Sequence, residues 1–223
     1  IQALADAVGP GGTLLAYTDW EVGDCGVLDD NCDVQPDWRE DVIPFDPLTS
    51  RARRHYGILP EFLRTTPGAV RSGNPGASVA ALGARAAWMT HDHPHDYGYG
   101  ENSPLARLVE AGGKVLNIGA PRGTMTLLHH AEHLARIPNK RVLRYEVPFA
   151  TPTGTIWRMT EEYDTRDPVV AGLKEDYFAD IVSQFLATGQ GAIGKVGRAD
   201  SLVVNAPAIT QFAVDWLERR FGV

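Results

Sequence analysis

Residues 114–135 read KVLNIGAPRGTMTLLHHAEHLA, which is the pattern of a strand followed closely by a helix. The run 114–118 is apolar and ends at Gly119, and this predicts a buried strand. After a short loop, the apolar residues of 124–135 recur at helical spacing. Side chains near the start of a helix that follows a buried strand often face a ligand crevice. The stretch therefore predicts an α/β fold with a candidate site on this helix.

The chain on both sides of this stretch contains further predicted strands and helices. Apolar runs bounded by turn residues predict the strands, and helical spacing of apolar residues predicts the helices. The predicted strands are 13–17, 78–82, 141–147 and 155–160, and the predicted helices are 1–8, 61–64, 105–110, 176–186 and 208–221. No repeat or low-complexity linker separates them, so we predict one mixed α/β domain over residues 1–223.

The composition favours a globular protein that binds cationic ligands. With 43% hydrophobic and 22% charged residues, the chain can bury a core, and disorder is not expected. Its formal net charge of −7 repels nucleic acid and anionic membranes and attracts cations. No apolar run is long enough to span a bilayer. We therefore expect neither a nucleic-acid nor a membrane partner.

The cysteines and the amino terminus bear on where the protein works. Cys25 and Cys32 are too few for a disulfide framework or for a zinc site built from cysteine pairs. The chain shows no signal peptide, so we predict a cytoplasmic location. It begins at Ile1 in what reads as the tail of a helix, and we expect that a preceding segment is missing. We expect a monomer or a homodimer.

The predicted helix 124–135 contains three histidines and a glutamate in the five residues HHAEH, which end at His133. His129, Glu132 and His133 are three and four residues apart, so they share a helix face. These side chains could simply be packed or solvated. Alternatively, one neutral imidazole could take a proton from a substrate amine or alcohol, because free imidazole titrates at about pH 6.5. Both interpretations stay open on the sequence.

The same residues also match a metal-binding pattern. His-x-x-Glu-His is the spacing of inverted zinc peptidases, in which two histidines bind zinc and the glutamate acts as a base. His129 and His133 would then be zinc ligands and Glu132 the base. A third protein ligand is needed, and the nearest acidic pair, Glu161 and Glu162, lies at the end of a predicted strand. A zinc-dependent hydrolase is therefore the alternative function.

A second histidine-rich stretch reads HDHPHD at residues 91–96. It differs in residue order from the His-x-His-x-Asp-His signature of the metallo-β-lactamase fold. We predict a flexible surface segment there, with adventitious metal binding at most.

Nine short segments spread through the chain form a further pattern. They are residues 8–13, 45–47, 66–69, 71–72, 77–83, 100–105, 115–120, 127–132 and 212–218. Their joint order and spacing resemble the antibiotic N-acetyltransferase family, which modifies the 3-amino group of aminoglycosides and is separate from the GNAT-fold enzymes. The resemblance implies a single α/β/α domain, acetyl-CoA as donor, and a 2-deoxystreptamine antibiotic as acceptor, with antibiotic resistance as the outcome.

The resemblance also assigns roles to particular residues. The family's Leu-His-x-Ala-Glu segment falls on residues 128–132, which makes His129, and not His130, the expected general base. It implies a direct transfer without an acyl-enzyme, and no cysteine is placed as a nucleophile. Glu132 could orient the imidazole, and no metal is expected. Asn74 stands where many members have histidine, which predicts a different acceptor preference or rate.

The remaining predicted contacts follow from the charges of the two substrates. Aminoglycosides are polycations, so carboxylates in irregular stretches or at strand ends near aromatic rings are candidate contacts. The predicted substrate-binding residues are Asp96, Glu101, Glu162, Tyr99 and Asn74. The phosphates of CoA need hydrogen-bond donors, and we expect these from Ser103 and Arg107, although Ser103 could instead form a structural turn and helix cap. A non-catalytic protein that only binds the antibiotic is a further alternative.

Overall fold

The computed structural model describes residues 1–20 and 42–222, so Cys25 and Cys32 lie outside the described residues. The described chain is a mixture of helices and strands. The helices are α1 (Gln2–Val8), α2 (Leu59–Arg64), α3 (Ala86–Thr90), α4 (Pro104–Glu110), α5 (Leu127–Leu134), α6 (Tyr177–Ala187) and α7 (Ala206–Phe221). The strands are β1 (Thr13–Tyr17), β2 (Val70–Arg71), β3 (Val79–Gly83), β4 (Lys114–Ile118), β5 (Val142–Thr151), β6 (Gly154–Tyr163), β7 (Gly191–Val196) and β8 (Ala199–Asn205).

The strands form three small sheets. β1, β3 and β2 form one antiparallel sheet in that order, and β4, β8 and β7 form another. β5 and β6 form a two-stranded hairpin. The prediction of a mixed α/β fold is confirmed. However, β4 does not lie in a parallel sheet, because its hydrogen-bonded neighbour is the antiparallel β8.

The described chain divides into two compact units, each assembled from separate stretches. Unit 1 contains residues 1–98, 102–104 and 143–162, and unit 2 contains residues 99–101, 105–142 and 163–223. The single domain predicted for the whole chain stays a prediction. None of the described helices is long and apolar enough to cross a membrane.

Unit 1 has an aromatic cluster beside its sheet. Trp20, Phe45 and Val147 are buried together, with Tyr145 and Phe149 packed against them. The rings of Trp20 and Phe45 meet edge to face, with their centroids 5.8 Å apart. Aromatic side chains bury large apolar areas, so this cluster ties the strand β5 to the region around Phe45.

Unit 2 is built around β8, α6 and α7. Leu202 and Val204 of β8 are buried, as are Ile181 and Phe185 of α6. The long helix α7 follows β8 directly, because Asn205 ends the strand and caps the helix by accepting a hydrogen bond from the backbone N–H of Ala208 at 3.0 Å. α7 packs against both α5 and α6. The helix that carries the histidines thus rests on a buried support.

The predicted elements agree with the structure most closely near residue 114. The predicted strand 114–118 coincides with β4. The predicted helix 124–135 is shorter, because a 3-10 turn occupies Arg122–Thr124 and the α-helix begins at Leu127. The strands β7 and β8 and the helix α3 were not predicted. β7 has the sequence GAIGKV, whose two glycines and largely exposed residues give no alternation of apolar side chains.

Candidate active site

The helix α5 places its histidines in different surroundings. Its residues Leu127, Leu128, His130, Ala131 and Glu132 are buried. His129 is the third residue of the helix, and its side chain remains 20% exposed. Because the other face of α5 is buried, the helix can hold His129 rigidly while part of its side chain stays accessible to solvent.

His129 and Glu132 form a hydrogen-bonded pair within unit 2. The Nδ1 atom of His129 lies 2.7 Å from Oε2 of Glu132, one helical turn further along. Because an ionised carboxylate only accepts, Nδ1 carries the hydrogen in this pair, and Nε2 is the nitrogen left to act as a base. Within the described residues, Nε2 of His129 has no hydrogen-bond partner. The geometry suits proton transfer at Nε2.

The carboxylate of Glu132 has a second partner. Its side chain is only 3% exposed, and its Oε1 atom accepts a hydrogen bond from the hydroxyl of Tyr177, the first residue of α6. A buried charge is costly unless it is hydrogen-bonded, and both oxygens of this carboxylate are. His129, Glu132 and Tyr177 therefore form one continuous chain of hydrogen bonds.

Two aromatic rings pack against the imidazole of His129. The ring of Tyr99 lies 5.0 Å from it between centroids, and the ring of Phe178 lies 4.9 Å from it. These contacts restrict rotation of the imidazole, so its Nε2 atom keeps a fixed direction. Tyr99, predicted as a substrate contact, is itself buried in this arrangement.

His130 is buried, although it is adjacent to His129. Its Nδ1 atom donates a hydrogen bond to the backbone carbonyl oxygen of Tyr99 at 2.7 Å. Burial lowers the pKa of His130, outweighing the opposite effect of this hydrogen bond. The ring is thus a neutral packing group that also holds the backbone of Tyr99 in place.

The residues of the zinc hypothesis do not assemble as that hypothesis requires. Glu132 is bonded to His129 and Tyr177, so it is not directed at a metal-bound water. The ring of His133 packs against that of Tyr163, 4.6 Å away between centroids. Across residues 1–20 and 42–222, no group of three or more side chains could hold a metal ion. The hydrolase alternative is not supported.

Asn74 has an internal role in unit 1. It is only 4% exposed, and its side-chain nitrogen donates to the carbonyl oxygens of Pro94 and His95 at 2.8 and 3.0 Å. Its side-chain oxygen accepts from the backbone N–H of Ala77 at 2.9 Å. An amide that makes these three hydrogen bonds has little capacity left for a ligand. Asn74 therefore anchors this part of unit 1, and its contact with a substrate stays a prediction.

The stretch 91–96 is held in place, in contrast to the flexible segment predicted there. His93 bridges the hydroxyl of Ser72 at 2.8 Å and the carbonyl oxygen of Gly98 at 2.6 Å. Nε2 of His95 lies 2.8 Å from the carbonyl oxygen of Met159. These hydrogen bonds of His93 and His95 hold the loop in place.

The predicted acidic contacts differ in accessibility. Asp96 and Glu101 are exposed, and Oδ1 of Asp96 accepts a hydrogen bond from the backbone N–H of Glu161 at 2.9 Å. Glu162 is buried. Asp96 and Glu162 belong to unit 1, whereas Glu101 belongs to unit 2 together with Tyr99. The exposed pair keeps carboxylate oxygens available for a cation, and Glu162 has less room for one.

The two residues predicted to hold CoA are also in different settings. Ser103 precedes α4 and is fully buried, so its hydroxyl does not face solvent. Arg107 lies on α4 and is partly exposed. Burial of Ser103 favours a structural role at the start of the helix, and Arg107 is the better placed of the two for a phosphate.

Tyr177 and Phe178 are site residues that the sequence did not reveal. They open the helix α6, which the sequence predicted only as an amphipathic helix. Tyr177 is 45 residues away from Glu132 in the chain, so no local spacing connects them. Two aromatic residues at the start of a helix look like ordinary core residues.

Comparison with known proteins gives one consistent family. The model of the family "Aminoglycoside 3-N-acetyltransferase" matches residues 1–218. The chain is similar to aminoglycoside N(3)-acetyltransferase III of Pseudomonas aeruginosa, with 46% identity over the whole chain and 80% of that protein. It is also similar to aminoglycoside N(3)-acetyltransferase VIII of Streptomyces fradiae, with 43% identity over the whole chain and 79% of that protein.

Solved structures agree with these relatives. The structure of AAC-IIIb in a binary complex with CoASH is 68% identical, with a TM-score of 0.95 over 99% of this chain and 82% of that one. The structure of AAC-VIa bound to sisomicin is 35% identical, with a TM-score of 0.91 over 100% of this chain and 84% of that one. The chain therefore belongs to the aminoglycoside 3-N-acetyltransferase family.

Proposed function

We propose that this protein transfers the acetyl group of acetyl-CoA to the 3-amino group of a 2-deoxystreptamine aminoglycoside, with His129 as general base. The observation that carries the proposal is the pairing of Nδ1 of His129 with the buried carboxylate of Glu132, which leaves Nε2 for the acceptor nitrogen. The relatives' complexes with CoASH and with sisomicin support this pair of substrates. The product would be an acetylated antibiotic, and this modification of the drug would confer resistance.

The reaction is a direct transfer in this proposal. The acceptor amine attacks the thioester carbonyl carbon while Nε2 of His129 takes a proton from the attacking nitrogen. A carbon–nitrogen bond forms, the carbon–sulfur bond breaks, and the imidazolium returns its proton to the departing thiolate. Glu132 stabilises the imidazolium and keeps the hydrogen on Nδ1, as the carboxylate does in acid–base triads of this kind. Atoms and charges balance without a cofactor or a covalent enzyme intermediate.

Binding of the two substrates rests on opposite charges. The net charge of −7 favours a polycationic acceptor, and Asp96 and Glu162 in unit 1 and Tyr99 and Glu101 in unit 2 stay candidate contacts for it, each taken within its own unit. We assign Arg107 to a phosphate of CoA, with Ser103 supporting the turn before it. We further propose a cytoplasmic monomer or homodimer that acts without nucleic acid or membrane.

Exchange of the two adjacent histidines tests the mechanism. His129→Asn keeps a side-chain N–H that can bond to Glu132, yet it cannot accept a proton. We expect it to lower kcat by about 10²- to 10⁴-fold, as is typical for loss of a general base. His130→Asn is the matched control, because its amide can still donate to the carbonyl oxygen of Tyr99, and we expect it to retain most of the activity. The measurement is release of CoA thiol that depends on an added aminoglycoside.

The same assay separates the alternatives. If His129→Asn kept more than a tenth of the wild-type kcat, the proposed base would be wrong. Acetylated aminoglycoside, detected by mass spectrometry, would exclude a protein that only binds the antibiotic. Thiol release at full rate without any acceptor would instead indicate simple hydrolysis of acetyl-CoA and would contradict the proposed transfer.

A further inference from the structure

The start of the helix α6 contacts both members of the His129–Glu132 pair. Tyr177 and Phe178 are its first two residues, and both are buried. The ring of Phe178 packs against the imidazole of His129, while the hydroxyl of Tyr177 donates to Glu132. The rings of Tyr177 and Phe178 also meet edge to face, 4.7 Å apart between centroids. One helix end therefore touches the proposed base and its carboxylate.

The ring of Tyr177 is fixed by the neighbouring helix α7. It stacks on Trp216 at 6.3 Å between centroids, with 23° between the ring planes. The indole nitrogen of Trp216 donates to the side-chain oxygen of Gln184 at 3.1 Å, and the guanidinium of Arg220 lies 3.5 Å from the centre of the indole ring. A tyrosine side chain has two rotatable bonds before its rigid ring, so packing that fixes the ring also fixes the position of the hydroxyl oxygen. The donor to Glu132 is thus pre-organised.

The chemistry of this contact matters because the carboxylate is buried. Glu132 has two oxygens, of which Oε2 meets His129 and Oε1 meets Tyr177. A phenol hydroxyl donates a hydrogen bond without adding a charge. The negative charge of the carboxylate is then shared between two donors, and the group cannot rotate to leave His129. Without the hydroxyl, the full charge would act on the imidazole alone.

We infer that Tyr177 is a positioning residue for acetyl transfer, whose hydroxyl fixes the carboxylate of Glu132 against His129 and weakens its hold on the imidazolium. The first effect directs Nε2 of His129 toward the acceptor nitrogen. The second lets the imidazolium return its proton to the departing thiolate. This inference rests on the proposed role of His129 as general base.

The variant Tyr177→Phe removes only the hydroxyl. We expect kcat to fall by about tenfold, less than the 10²- to 10⁴-fold typical for loss of the general base itself, because His129 is still present. The KM values of both substrates should stay within about twofold. We also expect the acidic limb of the kcat–pH profile to move to higher pH by about half a unit or more, because a carboxylate with one donor holds the imidazolium proton more strongly.

A control variant separates positioning from packing. Phe212→Leu removes the ring contact between α7 and Phe185 of α6 but leaves Tyr177, Trp216 and Glu132 unchanged, so it should lower stability without moving the pH profile. A double-mutant cycle adds a second test. If Tyr177 acts through Glu132, the combination of Tyr177→Phe with Glu132→Gln should be no slower than Glu132→Gln alone, whereas independent packing defects would multiply.

The outcomes distinguish this inference from the proposed function. Loss of activity in His129→Asn, together with a wild-type kcat and pH profile in Tyr177→Phe, would overturn only the role of Tyr177. Multiplicative losses in the double variant would likewise overturn it in favour of a packing role. Substantial activity in His129→Asn would instead overturn the proposed base and, with it, the role of its supporting residues.

Discussion

His129 and His130 are adjacent in the chain, but the fold gives them opposite roles. His129 is partly exposed and its Nδ1 atom meets a carboxylate, whereas His130 is buried and its Nδ1 atom meets a backbone carbonyl. Only the first environment stabilises a positively charged ring. The second keeps the ring neutral, since burial lowers the pKa of His130. At the scale of single residues, the surroundings decide which imidazole can take up a proton.

The parts of this site that are local in sequence could be predicted. Helical spacing places Glu132 beside His129, and the structure contains the corresponding hydrogen bond. Contacts such as those of Tyr99 and Tyr177 depend on packing between distant segments, so no spacing rule reveals them. The interior position of Asn74 could not be predicted either, because an Asn-Pro pair in a loop indicates a turn but not burial.

Asn74 supports a prediction about stability. Asn74→Asp replaces the amide nitrogen by an oxygen and removes both hydrogen bonds to the carbonyl oxygens of Pro94 and His95. We expect the free energy of unfolding to fall by about 2 kcal/mol, the scale for buried polar groups left unsatisfied. Urea unfolding checks this. The control Asp96→Asn keeps its exposed acceptor oxygen and should change stability by less than about 0.5 kcal/mol; equal effects of the two changes would contradict the anchoring role.

At the scale of elements, the sequence was most informative where apolar residues follow a clear period. A continuous apolar run predicts the strand β4, and apolar residues at helical spacing predict the helix α5. β7 was missed because an exposed edge strand needs no apolar face and owes its conformation to pairing with β8. The predicted start of α5 is too early, because Met125 lies three residues before Leu128 and fits the apolar spacing although the α-helix begins only at Leu127.

The helix α2 carries a prediction about pH. The carboxylate of Glu61 accepts hydrogen bonds from the side chain of Arg64, and also from the backbone N–H of Ala52 at 2.9 Å. The bond from Arg64 is the main reason that the pKa of Glu61 falls from 4.5 to about 2. A lowered pKa stabilises the folded protein above about pH 4.5, and this contribution is lost as the pH falls toward 2. Acid should therefore loosen the attachment of α2 to the segment before it.

The variant Glu61→Gln tests this dependence by urea unfolding at two pH values. We expect it to be less stable than the wild type at pH 7 and to lie closer to the wild type at about pH 3.5, where part of the native contribution is already lost. Glu110→Gln, at the exposed end of α4, serves as the control. An unchanged difference at both pH values would show that the charge of Glu61 does not contribute.

At the scale of the whole molecule, charge governs the encounter with the proposed acceptor. A net charge of −7 attracts a polycationic antibiotic over a distance that salt shortens, from about 10 Å at 0.1 M to about 3 Å at 1 M ionic strength. We expect the KM for the aminoglycoside to rise several-fold when KCl is raised from about 0.05 to about 0.5 M. Sucrose at equal osmolality is the control. If the KM for the aminoglycoside were the same at both KCl concentrations, the acidic surface would take no part in binding.

The assembly of each unit from three separate stretches of chain limits how such a protein can be rebuilt. End-to-end fusion of two genes would leave each folded unit as one continuous stretch of chain, so it cannot produce two units that are each built from three stretches. A chimera made with a relative by one crossover in the middle of the coding sequence would mix parental residues inside both cores. Recombination between resistance genes of this family should therefore succeed most often when the exchanged fragments follow the folded units and not the linear map.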